Sequence, residues 1–280
     1  MPAALRVVPM AAGRCAVPSP HMTDLANKTW EEARELFIPD AVAILPVAST
    51  EPHGPHLPLD TDVTIAVAQA RRAAERMVEE GVTAFVLPPL AYGVTFFTQG
   101  FAGRVGIRPG TLWAFVEDIA ISLEEDGLRR LVISNGHLER EHVMVLRGLA
   151  KDRPKVTETH AQILFPDNTS KRWAGEFGDE FKSGDCHAGS YESSIVLAAD
   201  PESVREEKRT ALPEHNVGLL EKMLGGASSF REIGADEAYC GAPAEASAEE
   251  GRELIERLST MIIESAREAW PELFANKTDS

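Results

Sequence analysis

Residues 44–62 read ILPVASTEPHGPHLPLDTD. The run that leads into them, residues 41–47, is apolar throughout rather than alternating, as a parallel strand covered on both faces tends to be. It gives way to small polar residues, and then Glu51, His53, His56, Asp60 and Asp62 follow within twelve positions. Carboxylates and imidazoles are the groups that hard to borderline divalent metals take as ligands. A Gly/Pro-rich loop leaving a buried strand is where α/β enzymes keep such groups. The plainer reading is a polar loop whose histidines only hydrogen-bond, so the remaining ligands must come from elsewhere in the chain.

Working outward, strand and helix patterns alternate. A short amphipathic helix is predicted over residues 30–37 with Thr29 as its N-cap, then the strand 41–47. A long helix over 63–79 ends at Glu80-Gly81, followed by a strand over 82–88. Residues 92–110 form a glycine-spaced loop holding Phe96, Phe97 and Phe101, which could be core or could line a substrate pocket. A helix over 111–125, a strand over 131–134, a helix over 139–149 and a strand over 159–165 come next. After a polar stretch, a helix over 191–199 and a closing helix to residue 269 complete the pattern. Ser247 is read as the cap of that last helix and Glu250 as completing a capping box. The alternation predicts an α/β fold: one domain, residues 23–275, with a mostly parallel sheet flanked by helices. Residues 1–22 lack any acidic residue or helical or strand period, and are read as a disordered extension, with Met1 or Met22 as the start.

The 280 residues carry a net charge of −16, which lacks the footprint of a nucleic-acid or anionic-membrane binder. No apolar run reaches the length of about 18 residues that a membrane span requires. The three cysteines, Cys15, Cys186 and Cys240, form no CxxC pair, and a reducing cytoplasm is the expected compartment. Cys186 and His187 are neighbours in sequence, a poor nucleophile–base couple, since such partners usually meet through space. No phosphate-binding glycine fingerprint and no GxSxG elbow follows any predicted strand.

Three segments leaving strand ends or loops hold the ionisable clusters: Glu51/His53/Asp62, then His137/Glu139 with Glu141 and His142, then Asp185/His187/Glu192. Segments leaving the carboxyl ends of neighbouring parallel strands converge on one crevice. Two cations sharing a carboxylate there would bring the pKa of a bridging water toward neutrality and polarise a scissile carbonyl. His56 and Asp60 are assigned supporting roles around the ligands, or a turn in the case of Asp60. Glu141 favours a helix N-terminus. His160 and His215 are read as structural or exposed.

These residues resemble the creatininase family. LPVASTEPHGPHLPLDTD at 45–62 is similar to that family's LPxGSxExHGxHLPxxxD. NGHLE at 135–139 and HAGSYESS at 187–194 resemble its NGH and HAGxxETS motifs, RPGT at 108–111 sits where it has FPGT, and GAPAEASAEEGREL resembles its closing helix entry. The resemblance implies a binuclear centre of Zn, Mn or Fe in a hexamer that acts on a small-molecule amide. By position, Glu51, Asp62 and His137 match ligands of one metal, and His53, Asp62 and Glu139 those of the second, with Asp62 bridging. Glu192 is a second-choice ligand, and His187 matches a histidine implicated in proton transfer.

The resemblance leaves the substrate open. Members that hydrolyse creatinine hold its ring with tryptophans, one of them where this chain has Ser183, and Cys186 replaces an acidic residue. The expected activity is hydrolysis of a non-peptide C–N bond in a small cyclic or related amide by a metal-bridging hydroxide. Alternatives are a formamide deformylase acting on formamidopyrimidines, a peptide-processing member of the family, or a metal-binding protein without turnover.

Overall fold

Six consecutive buried residues, Val42–Val47, form strand β1, and everything that builds the site hangs from its carboxyl end. The computed structural model describes residues 23–275; the expected extension over 1–22 and the choice of start lie outside them. Helix α1 (Trp30–Leu36) precedes β1. Its Thr29 cap accepts from Glu32 N while the Glu32 carboxylate accepts from Thr29 N, a reciprocal box that satisfies two otherwise orphaned donors. Then come α2 (Thr61–Glu79), β2 (Ala84–Val86), α3 (Pro109–Glu125), β3 (Arg130–Asn135), α4 (Arg140–Asp152) and β4 (Gln162–Leu164). Six helices follow: α5 (Asp179–Ser183), α6 (Ser190–Ala199), α7 (Glu206–Ala211), α8 (Leu219–Leu224), α9 (Ala248–Ala269) and α10 (Pro271–Phe274).

The four strands pair in the order β2-β1-β3-β4, all parallel, with Leu45 opposite Ile133 and Val47 opposite Asn135. Side chains alternate between faces along a strand. Ala43, Leu45 and Val47 of β1 therefore join Leu131 and Ile133 of β3 against α3 and α4. Val42 and Ile44 join Val132 against α2 and α9 on the other face. A single α/β domain with both sheet faces covered results, and continuous apolar strands are its sequence signature. Among the described residues no helix is long and apolar enough to cross a membrane.

Three boundaries differ from the sequence expectation for physical reasons. The outer strands β2 and β4 are shorter than predicted: each has one strand neighbour in the sheet, β2 having only an isolated bridge to Asp24 on its other side, and Pro88-Pro89 cannot extend the ladder after β2. His160 consequently lies outside β4 and is exposed. Helix α2 begins at Thr61 rather than residue 63, which puts Asp62 in its first turn, where the helix dipole favours an ionised carboxylate. At α9, Ser247 Oγ accepts from Glu250 N as expected, but Glu250 does not close a box. Its carboxylate accepts from Ser194 Oγ of α6 at 2.8 Å, and Ser194 Oγ accepts from Ser247 N at 3.0 Å. The cap is completed across two helices. That close approach needs Gly251, where a Cβ would sit 1.8 Å from the Ser194 carbonyl oxygen.

Candidate metal centre

The β1 and β3 ends meet where Gly136 N donates to the Val47 carbonyl. Glu51 and His53 leave β1, Asp62 opens α2, and His137 and Glu139 leave β3. His187 and Glu192 arrive on the segment entering α6. All seven side chains are buried.

The hydrogen bonds fix the histidine tautomers. His53 Nδ1 lies 3.0 Å from the Glu51 carbonyl oxygen and His137 Nε2 lies 2.8 Å from the Val94 carbonyl oxygen. A carbonyl can only accept, so both of those nitrogens carry hydrogen. The opposite nitrogens face carboxylates. His53 Nε2 is 3.0 Å from Asp62 Oδ1 and 3.5 Å from Glu192 Oε2. His137 Nδ1 is 3.2 Å from Glu51 Oε1 and 3.0 Å from Asp62 Oδ2. A neutral imidazole would aim a lone pair at an anion in each place, so positive charge belongs between them, as a second proton or as a cation.

The electrostatics draw positive charge into the cluster. Burial alone would lower the pKa of His53, but Asp62 and Glu192 lift it to about 10. His137 is likewise raised well above its ordinary value against burial by Glu51 and Asp62. Burial pushes Glu192 up to about 8 despite the opposing pull of His53. Burial would also raise Glu51, yet His137 holds it down at about 2. His53 Nε2 and Asp62 Oδ2 are buried without a hydrogen-bond partner among the described residues. A buried oxygen-and-imidazole set with orphaned lone pairs fits divalent cations.

Three groups of ligand atoms lie within 4.8 Å of one another: Glu51/His137/Glu139, His53/Asp62/Glu192 and Glu51/His53/His187. Asp62 offers one oxygen to His53 and the other to His137. The geometry groups Glu192, the second choice from sequence, with His53. It sets Glu139 beside Glu51 and His137 instead. The reason is local: the Glu139 carboxylate accepts from Phe96 N and Phe97 N at 2.8 and 3.0 Å, which ties it to that side.

A sequence profile described as "Creatininase: Creatinine amidohydrolase" matches residues 26–266. The chain belongs to the creatininase family. It is 34% identical over 233 residues to the mycofactocin precursor peptide peptidase of Mycobacterium tuberculosis, covering 75% of this chain and 78% of that protein. It is 35% identical over 201 residues to the creatinine amidohydrolase of Pseudomonas putida, covering 63% and 71%. Among solved structures, one described as "Creatininase Mn" superposes with a TM-score of 0.65 at 25% identity, covering 89% of this chain and 99% of that one. Family members are hydrolases. The expected restriction to non-peptide bonds finds no support, since the mycobacterial relative is named for a peptide substrate.

In this creatininase-family chain a cavity of about 350 Å³ opens over the cluster. Its floor is Glu51, Asp62, His137, Glu139, His187 and Glu192, and α4, α8 and Phe230 contribute walls. The aromatic expectation needs correction: Phe96, Phe97 and Phe101 are not among the lining residues. Phe97 packs edge to face on Phe230, Phe101 lies under the Arg231 guanidinium, and the Phe96 side chain is exposed. Segment 94–98 serves the site through other atoms, because Thr95 and Thr98 hydroxyls both donate to Glu51 Oε2. Only the motif-poor spacing of that loop stood in the sequence, so those two threonines were not foreseen.

The other expected residues also find places. His56 Nε2 bonds Ser193 Oγ at 2.9 Å, a buried link between the first loop and α6. Asp60 is exposed and makes no side-chain cap bond at α2. Asp185 turns away from the cluster and accepts from Val217, Gly218 and Leu219 N–H groups, anchoring α8. Glu141 is exposed. His142 is more engaged than expected: Nδ1 accepts from Val94 N and Nε2 donates to Asn135 Oδ1 at 3.1 Å. Burial pushes the Cys186 thiol well up, so it stays protonated and a poor nucleophile.

Proposed function

We propose that this chain is a divalent-metal-dependent amidohydrolase whose two ions share Asp62. The observation that carries it is the pair of imidazole lone pairs, His53 Nε2 and His137 Nδ1, each aimed at a different oxygen of Asp62. Glu51, Asp62, His137 and Glu139 would hold one ion, and His53, Asp62 and Glu192 the other. When bound, such ions supply a Lewis acid for the scissile carbonyl and lower the pKa of a shared water.

The protein's own part is positioning and proton movement. His187 Nε2 is 3.0 Å from the Pro52 carbonyl oxygen, so that nitrogen holds the hydrogen and Nδ1 keeps its lone pair. Burial holds its pKa well below the ordinary imidazole value, and it is therefore neutral at pH 7. The ring is fixed between the His53 and Phe230 rings, with centroids 4.4 Å away on each side. Lining the cavity, Nδ1 takes the proton released by the attacking water and returns it to the leaving nitrogen. The apolar walls from α4 and α8 favour a linear, peptide-like amide over a small flat ring, in keeping with the absence of the tryptophan that Ser183 replaces. A homo-oligomer in the cytoplasm belongs to the same reading, and sedimentation of the purified protein checks its size.

Elemental analysis tests the centre directly. Metal-replete protein should hold about two ions per chain, and Asp62→Ala should lose both. Glu192→Ala and Glu139→Ala should each lose one. A wild-type content below about one ion per chain, or full retention in Asp62→Ala, would overturn the reading. Hydrolysis assays on creatinine, hydantoin, lactams, N-formyl amides and short peptides then rank the substrates.

A further inference from the structure

The charges around the cavity are segregated. Every carboxylate lining it, Glu51, Asp62, Glu139 and Glu192, is buried in the floor. Every lysine or arginine lining it, Arg140, Arg147 and Lys182, is solvent-exposed. This chain has 44 acidic residues against 28 basic ones, so an exposed rim drawn at random would be mainly acidic.

The three rim cations are not equivalent. Arg147 is committed to Asp167 at 2.7 Å and Thr169 at 2.9 Å. Arg140 has only Glu141 nearby, at 3.9 Å, and Lys182 makes no ion pair among the described residues. Two cations at the rim are therefore available to a ligand. Between them the walls are apolar. Val143 and Met144 fall on the same stripe of α4 as Arg140 and Arg147, and Leu219, Leu220, Met223 and Leu224 line the α8 side. Met144, Leu220 and Leu224 are 53%, 48% and 67% exposed, so this apolar surface continues from the cavity to solvent.

Resting on the amidohydrolase reading, we propose that the substrate is an anion: a linear amide bearing an apolar side chain that lies between α4 and α8, and a carboxylate held by Arg140 and Lys182. The floor carboxylates are taken up by the ions of that reading, whereas the rim offers two exposed cations in high dielectric, Arg140 with only a 3.9 Å contact to Glu141 and Lys182 with no ion pair among the described residues. Exposed pairs of this kind are weak singly and add selectivity together. Creatinine, which has no carboxylate, would gain nothing from this rim.

The test compares N-formyl-L-leucyl-L-leucine with its C-terminal amide by titration calorimetry on metal-loaded protein. The acid should bind about tenfold more tightly than the amide, and the ratio should shrink as salt is added. In Arg140→Gln/Lys182→Gln the ratio should fall to about one with melting temperature unchanged. Lys182→Arg should keep the preference, so a poorly folded double variant would leave the question decidable. Equal affinities in the wild type, or no binding of the acid at millimolar concentration, overturns the proposal. So does an undiminished ratio in the double variant, which would place the carboxylate on the floor. The amidohydrolase reading is judged separately, by whether metal-loaded protein cleaves either probe at all.

Discussion

His137 and His142 are tied to each other through one backbone residue. His137 Nε2 donates to the Val94 carbonyl at 2.8 Å, Val94 N donates to His142 Nδ1 at 3.3 Å, and the rings meet edge to face at 4.8 Å. Replacing His142 with leucine would leave Val94 N–H buried and unpaired, at a cost of about 1–3 kcal/mol, and would leave Asn135 Oδ1 with only the His137 N–H as donor. It would also free the Val94 carbonyl to move away from His137. We expect a lower melting temperature together with weaker metal retention in His142→Leu, read by calorimetry and elemental analysis. Unchanged metal content would mean that His137 is oriented without this link.

Chelation should reveal a pH-dependent stability that metal removes. His53, lifted from 6.5 to about 10, gives stability that is complete below pH 6.5 and lost as pH rises through 10. Glu192, lifted from 4.5 to about 8, adds stability that is complete below pH 4.5 and lost as pH rises through 8. Glu51, held at about 2, acts oppositely: its share is present above pH 4.5 and lost as pH falls through 2. Chelated protein should therefore melt at progressively lower temperature between pH 6.5 and 10, while metal-loaded protein changes much less. Parallel curves for the two forms would count against a cation occupying the place of those protons.

Two glycines should separate folding from metal retention. A Cβ at Gly251 meets the Ser194 carbonyl at 1.8 Å, and one at Gly136 meets the Asp62 carbonyl at 2.1 Å. Gly251→Ala must push α6 from α9, and a loss of about 3 kcal/mol in urea denaturation is expected. Gly136→Ala displaces the turn that carries Asp62, so metal loss should accompany its destabilisation. Gly175, with nothing within 4 Å of a Cβ, is the matched control and should tolerate alanine.

Phe230 should govern the pH profile, and Phe96 should not. The Phe230 ring stacks on His187 at 4.4 Å and helps to bury it. Phe230→Leu lets water reach the imidazole, so its pKa should rise toward its ordinary value and shift the acid limb of kcat/KM upward. Phe96→Ala removes an exposed ring and should leave that limb in place, as a pH–rate profile on any cleaved amide would show.

The parallel sheet was legible because β1 is a continuous apolar run and β3 holds a shorter one at 131–133, a pattern that double-sided burial favours. Glu51, His53, Asp62, His137, Glu139, His187 and Glu192 were legible because each sits in a dense polar motif after a strand or before a helix. The grouping among them was not, since it depends on which backbone N–H groups reach Glu139, and residues 96 and 97 carry no side-chain sign of that. Thr95 and Thr98 were not legible for a similar reason: single hydroxyls become informative only once their partners are placed. The Ser194 bridge at the α9 cap is likewise a tertiary fact, invisible in the local Ser-x-x-Glu spacing.

The hold on Glu139 is made by main-chain donors at Phe96 and Phe97, not by their side chains. Any residue except proline supplies the same N–H, so positions 96 and 97 can drift in sequence without loosening that carboxylate. The loop is thereby released from the constraint that binds the motif residues. Lineages sharing the same ligand set could exchange its side chains freely, and diverge in what they accept while the floor stays fixed.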